Sequence, residues 1–283
     1  MKENIELGQK REFGDIISDT FAFVKQNLVP LLKCYLTFCG LFLVAGVVIV
    51  VFSSSPRQEY LDPGARILST LLKLVWGIIE YTTISLTLFS YLAVYREKGN
   101  IPPSVVEVWG YFRYYFFRVF ITYVILVIMT ILSAFLCFFP CIYLGVVFSL
   151  VIPIMVMENG SIEYSIRRSF KIIKENWWFT FGTLLIIGMI ALMAIAVFIV
   201  PVIVIWGGSN WLTGLQFDTT FKIIYASVFQ VCRVLYLIPL LASALLYFSL
   251  NEQKEGSSLA NKIKMFGKTG PGAPKQAPDT EQY

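Results

Sequence analysis

The sequence predicts an all-α integral membrane protein with six transmembrane helices. Three observations lead there. The 283-residue chain is 57% hydrophobic and only 14% charged, whereas soluble domains carry roughly 45–50% apolar and about 25% charged residues. The excess falls in long uncharged runs, and a run of about 18 or more apolar residues is long enough to span a bilayer. The cations between the runs concentrate in alternate loops.

The elements follow in order. An amphipathic segment at 11–27 leads into a span at 28–52, and a second span covers 67–94. A second interfacial segment, 103–117, precedes a charge-free run from Val119 to Met157. As one helix that run would extend about 58 Å, nearly twice the roughly 30 Å hydrocarbon core. Pro140 lies near its middle, and proline breaks helices. The run therefore divides into spans at 118–139 and 141–157, joined by a tight hairpin. A third interfacial helix, 161–176, is followed by spans at 179–206 and 222–250, so that 1–250 forms a single membrane domain. The tail, 251–283, is rich in Gly, Pro, Lys and Ser and cannot bury a core, so it is expected to be disordered. The first apolar run begins near Leu28, too late for a cleaved secretory signal, and the first span is expected to act as an uncleaved anchor.

Charge orients the spans. The N-terminal segment, 95–118, 158–176 and the tail hold most of the 23 Lys and Arg, while the opposite loops hold Arg57, Arg66 and Lys222. The positive-inside rule then places both termini in the cytoplasm. Trp177, Trp178, Trp206 and Trp211 fall near the expected interfaces, where aromatic belts form. The sequence has no His, which removes the commonest general base and metal ligand. Its five Cys lie in or beside apolar runs and read as small buried hydrophobes. No metal, cofactor or catalytic residue is expected, and the chain is not expected to be an enzyme.

The segment 161–178, SIEYSIRRSFKIIKENWW, interrupts the apolar pattern. At about 100° per residue, Ile162, Ile166, Phe170, Ile173 and Trp177 fall on one arc and Arg167, Arg168, Lys171 and Lys174 on the opposite side. Ser161 is placed to cap the helix. Such a helix lies in the membrane plane with its cations toward lipid headgroups. The same design occurs at the N-terminus. At one fixed offset Phe13, Ile17, Phe21, Val24, Lys25, Asn27 and Leu28 align with Ile162, Ile166, Phe170, Ile173, Lys174, Asn176 and Trp177. A weaker copy, SVVEVWGYFRYYFFR, precedes the third span. The chain thus reads as three units, each an interfacial helix followed by a transmembrane hairpin, with a possible threefold internal repeat. The Pro-x-acidic-x-x-basic signature of mitochondrial carriers is absent.

The stretch from Pro153 to Trp178 carries a Pro, an acidic residue, a Gly, then a Ser- and Arg-containing amphipathic helix ending in Asn-aromatic. On Pro153, Glu158, Gly160, Arg168, Ser169, Asn176 and Trp177 it resembles the membrane-domain family of glycerophosphoryl diester phosphodiesterases and related six-span proteins. The N-terminal FGDIISDTFAFVKQNLVPLL is similar to the family's start. The resemblance implies a six-span module and a bacterial inner-membrane location. It implies no activity here, because the residues after 250 are too few for a catalytic barrel.

Two ionisable residues, Glu80 and Arg233, fall deep within spans at a common depth. A charge near the bilayer centre costs at least about 2.5–3.5 kcal/mol and usually pairs or lines a cavity. Both are expected to face the bundle interior. Thr83 and Thr87 share the Glu80 face and Gln230 lies one turn from Arg233, so the group reads either as helix–helix glue or as a polar cavity. Two functional expectations follow. One is a non-enzymatic protein binding membrane lipids, chiefly anionic headgroups of the cytoplasmic leaflet, or partner proteins, but not nucleic acid. The other is a small-solute or lipid transporter built around Glu80 and Arg233.

Overall fold

The computed structural model describes residues 6–53, 62–136, 138–213 and 219–266. Nine α-helices and one short 3-10 helix make up these residues, and six helical spans are long and apolar enough to cross a membrane.

The first unit is α1 (Phe13–Ser53) and α2 (Pro63–Glu97). Asn27 interrupts α1 with φ −110° and ψ 15°, because Pro30 supplies no N–H to the turn before it. The amphipathic segment and the span are therefore two helices across one bend. Asp62 caps α2 by accepting from the Gly64 N–H at 3.3 Å, with Pro63 in the first turn, where its missing donor costs nothing.

The second unit begins with α3 (Val105–Leu136). Ser104 and Glu107 form a capping box, the Ser104 N–H and hydroxyl donating to Glu107 at 2.7 and 2.9 Å. Here the structure differs from the sequence reading. Segment 103–117 and the span are one unbroken helix, since Val119 and its neighbours offer no Pro or Asn to bend it. Pro140 does not mark the break: α3 ends at Leu136, and Pro140 sits in the first turn of α4 (Phe138–Ser149). The fourth span breaks again before α5 (Val151–Met157), because Pro153 cannot donate to the Ser149 carbonyl.

The third unit is α6 (Ile162–Ile173), α7 (Trp177–Thr213), α8 (Thr219–Cys232), a 3-10 turn at Arg233–Tyr236 and α9 (Leu237–Phe266). The sixth span is thus discontinuous, with Pro239 just beyond the break. Residues 251–266, read from composition as part of a disordered tail, continue α9 as helix. The remainder of that tail, 267–283, lies outside the described residues.

The second helices of the three units, α2, α5 and α9, touch one another and form the centre. Thr82–Tyr95, Val151–Val156 and Leu240–Leu250 are buried without interruption. The entry helices surround them in a common register. Ile16, Thr20, Phe23 and Asn27 of α1 are buried, as are Val108, Phe112, Tyr115 and Val119 of α3, and Ser165, Ser169 and Ile172 of α6. Small polar side chains recur in these seams, as expected where lipid supplies no hydrophobic drive between helices. The segments 7–11, 96–107, 158–174 and 249–255 meet at one end of the bundle.

Gly160 marks the tightest approach at that end. A Cβ there would meet the Tyr164 ring at 2.5 Å and Ser165 Oγ at 3.1 Å. Gly160→Ala is expected to cost about 1–3 kcal/mol, read as a lowered Tm in detergent. Gly188→Ala, with open space around it inside α7, is expected to leave the Tm no lower, since Ala costs less than Gly in a helix interior.

Candidate functional site

Two polar constellations stand out, one inside the membrane span and one at the basic end. Inside, Glu80 is 2% exposed. Its Oε2 takes the Arg233 Nη1 hydrogen bond and its Oε1 that of the Gln230 amide. Arg233 also lies over the Phe229 ring, 5.8 Å from its centroid. A cavity of about 190 Å³ adjoins the pair, lined by Gly46, Lys73, Trp76, Glu80, Gln230 and Arg233. Gly46 is required by this packing, since a Cβ would approach Glu80 Oε1 to 2.7 Å and the Gln230 amide more closely still. The cluster therefore joins α1, α2 and the broken sixth span. A buried ion pair loses its solvation on both sides, and the Gln230 amide supplies the additional hydrogen bond such a pair needs.

Thr83 and Thr87 do not line this cavity. Their hydroxyls donate to the carbonyls of Ile79 and Thr83 at 2.9 and 2.7 Å, and Thr87 Oγ1 lies 3.7 Å from Cys39 Sγ. They fill the α1–α2 seam. Below them Tyr91 donates to Asn27 at 3.1 Å, tying α2 to the α1 bend.

At the basic end, Glu158 is a hub. It accepts from Tyr164 at 2.6 Å and Tyr247 at 2.9 Å, and Arg168 Nε faces it at 3.5 Å. Arg168 Nη2 also donates to Asn251 at 2.8 Å and to Glu255 at 3.3 Å. The hydrogen bond to the Glu158 carboxylate, with burial, raises the Tyr164 pKa above the ordinary phenol value. Ser169 donates to the Val147 carbonyl at 2.5 Å, where the α4–α5 break leaves it open to a second donor. Trp177 stacks between Tyr143 and Phe181, with centroids at 5.9 and 5.1 Å.

The four cations of α6 do not act as one face. Arg168 is a correction to the headgroup-facing reading. It borders the seam of Ser165, Ser169 and Ile172, so the helix turns it toward Glu158 and α9 rather than outward. Arg167, Lys171 and Lys174 are exposed on the far side. Arg167 pairs with Glu163 at 2.7 Å. Among the described residues the side chains of Lys171 and Lys174 have no carboxylate partner, while the Lys171 carbonyl accepts from Lys254. Nor does α6 lie alone in a membrane plane, since it packs on α4, α5 and α9.

The sequence reading missed Arg11. Its side chain is 1% exposed and bonds Asp19 at 2.8 Å and the Leu7 carbonyl at 2.8 Å. Its backbone N–H donates to Ser249 at 2.9 Å. Only the acidic partner eight positions on hinted at it. Among the described residues no three His, Cys, Asp or Glu gather as a metal site.

For the intramembrane pair, Arg233→Leu leaves the Glu80 carboxylate buried and unpaired, a loss of about 3–5 kcal/mol. Glu80→Gln combined with Arg233→Leu is expected to cost less than the two separately. The coupling should exceed about 1 kcal/mol in detergent unfolding; additive losses would show that the pair is not coupled.

No family model, curated protein or solved structure matches the chain.

Proposed function

We propose that this chain is a non-enzymatic membrane module of the bacterial inner membrane, with both termini cytoplasmic. Its basic end would bind anionic lipid headgroups or a protein partner. One observation carries the reading. The helix α6 buries its Ser165–Ser169–Ile172 seam in the bundle and leaves Arg167, Lys171 and Lys174 exposed at the end where the basic loops converge. Each cation near an anionic leaflet contributes about 1 kcal/mol. Positive-inside bias favours the orientation. The resemblance to the phosphodiesterase membrane-domain family favours a bacterial setting, and several of the residues that carry it have structural roles, Glu158, Gly160 and Arg168 around the α5–α6 turn and Pro153 and Ser169 at the α4–α5 break.

Native mass spectrometry of the protein from membrane-derived nanodiscs tests this. Anionic lipid or protein held at the α6 face is expected for the wild type, and that share should fall at least tenfold when Arg167, Lys171 and Lys174 are all changed to Gln. Equal retention in the variant would reject the reading. Arg168 is left intact because its loss would unseat Glu158.

A second reading, passage of a small solute or lipid, is favoured by one specific feature. The sixth span breaks at Arg233, beside the cavity that borders Glu80, and discontinuous helices mark transporter binding sites. Vesicle flux lost in Glu80→Gln in protein shown to remain folded would support it, whereas flux equal to wild type would reject it.

A further inference from the structure

We propose that the recess between α2, α3 and the α5–α6 turn is a binding site for the phosphodiester of an anionic phospholipid. The inference deepens the headgroup-binding reading above and rests on it. The recess, about 440 Å³, is lined by Arg96 and Glu97 from α2, Tyr111 and Tyr115 from α3, Asn159 from the turn, and an apolar floor at Val156.

Its charge balance favours an anion. The Arg96 guanidinium lies over the Phe248 ring, 5.4 Å from the centroid, and among the described residues it meets no carboxylate. Arg118, just behind, donates to Asn159 Oδ1 at 3.3 Å and the Gly160 carbonyl at 3.4 Å, again with no carboxylate among the described residues. Glu97 is the one acid lining the recess, and it accepts from Tyr111. Glu158 nearby is already engaged by Arg168, Tyr164 and Tyr247. Arg96 and Arg118 thus stand without a carboxylate partner among the described residues, against the single lining acid Glu97.

Asn159 supplies donors as well. Arginine can only donate, so the Asn159 atom that faces Arg118 must be the carbonyl oxygen. The Tyr115 hydroxyl donates to the same oxygen at 2.9 Å. The amide orientation is thereby set, and among the described residues its Nδ2 hydrogens have no protein partner. The residue holds φ at 51°, a left-handed backbone that Asn accepts more readily than most. Two arginines and an oriented amide around a recess are the donor set for a phosphate.

The source of the phosphate is argued from the flank. Beside the recess α3 carries the exposed aromatic side chains of Tyr114 and Phe117, Phe117 at 73%. Arg118 lies over both the Tyr114 and Tyr115 rings, 5.7 Å from each centroid, linking the recess to that apolar face. A phosphate esterified to a diacylglycerol can place its chains along this flank, which a free ion would leave unused.

The test uses the full chain in phosphatidylcholine nanodiscs containing a minority of phosphatidylglycerol, read by native mass spectrometry. Wild type is expected to hold a discrete phosphatidylglycerol. Arg96→Gln and Asn159→Asp are expected to lower its occupancy about fivefold. Arg96→Lys should largely restore it. Asn159→Gly, which keeps the left-handed backbone but removes the amide and the bonds it accepts from Tyr115 and Arg118, should lose it, with a lowered Tm but a protein still folded. The Arg167, Lys171 and Lys174 triple variant should keep this discrete lipid while losing more weakly held ones. Wild-type occupancy in Arg96→Gln and Asn159→Gly would overturn the recess and leave headgroup binding by α6 standing. No phosphatidylglycerol above phosphatidylcholine in any form would overturn both. Stabilisation by inorganic phosphate in lipid-free detergent, lost in Arg96→Gln, with no lipid retained, would overturn the lipid in favour of a soluble phosphate compound.

Discussion

The Glu158 carboxylate holds the basic end of the molecule together. Two phenols and one guanidinium converge on it from α6 and α9. A carboxylate at the end of a central helix must be compensated, and each compensating group fixes a different element. Tyr164 and Arg168 set the rotation of α6, and Tyr247 binds the centre of α9. The turn between α5 and α6 follows from that arrangement: Asn159 takes the left-handed backbone and Gly160 accepts the Tyr164 ring where a Cβ would collide. The exposure of Arg167, Lys171 and Lys174 follows from the same rotation, because they lie on the side of α6 opposite its buried Ser165, Ser169 and Ile172 seam.

A second constraint comes from the backbone. In hydrocarbon an unbonded carbonyl has no water to turn to, so a break in a span must find donors within the protein. The fourth span breaks before Pro153, and the Val147 carbonyl takes bonds from the Leu150 N–H at 3.3 Å and from Ser169 Oγ. The sixth span breaks before Pro239, and there the 3-10 turn places Arg233 against Glu80. Proline thus does different work in the two units. In one it seats an interfacial helix, and in the other it positions a charge.

The threefold pattern survives at the level of register and diverges in chemistry. The α1 and α6 segments both bend into their spans at an Asn, Asn27 and Asn176, whereas α3 runs straight through the equivalent Val119. The buried positions of the three entry helices correspond, but their contents run from Ile and Phe to Ser. The central triangle of α2, α5 and α9 is common to all three units, and the polar features are specific to each.

Much was legible in the sequence. The six apolar runs follow from the cost of exposing backbone and charge to lipid, and their lengths are set by the bilayer. The amphipathic arcs and the Ser161 cap are local properties, and the common depth of Glu80 and Arg233 follows from helical rise. What the tertiary structure decided is which neighbour each polar group meets. Arg167 and Arg168 are adjacent and chemically identical, yet one is solvated and the other faces Glu158, because 100° of helical rotation separates them. Arg11 meets Ser249 from the far end of the chain, and Arg96 and Arg118 come together with Asn159 across three helices. Periodicity assigns a residue to a face of its own helix. Only packing assigns that face a partner, because contacts between helices depend on crossing geometry that no single helix encodes.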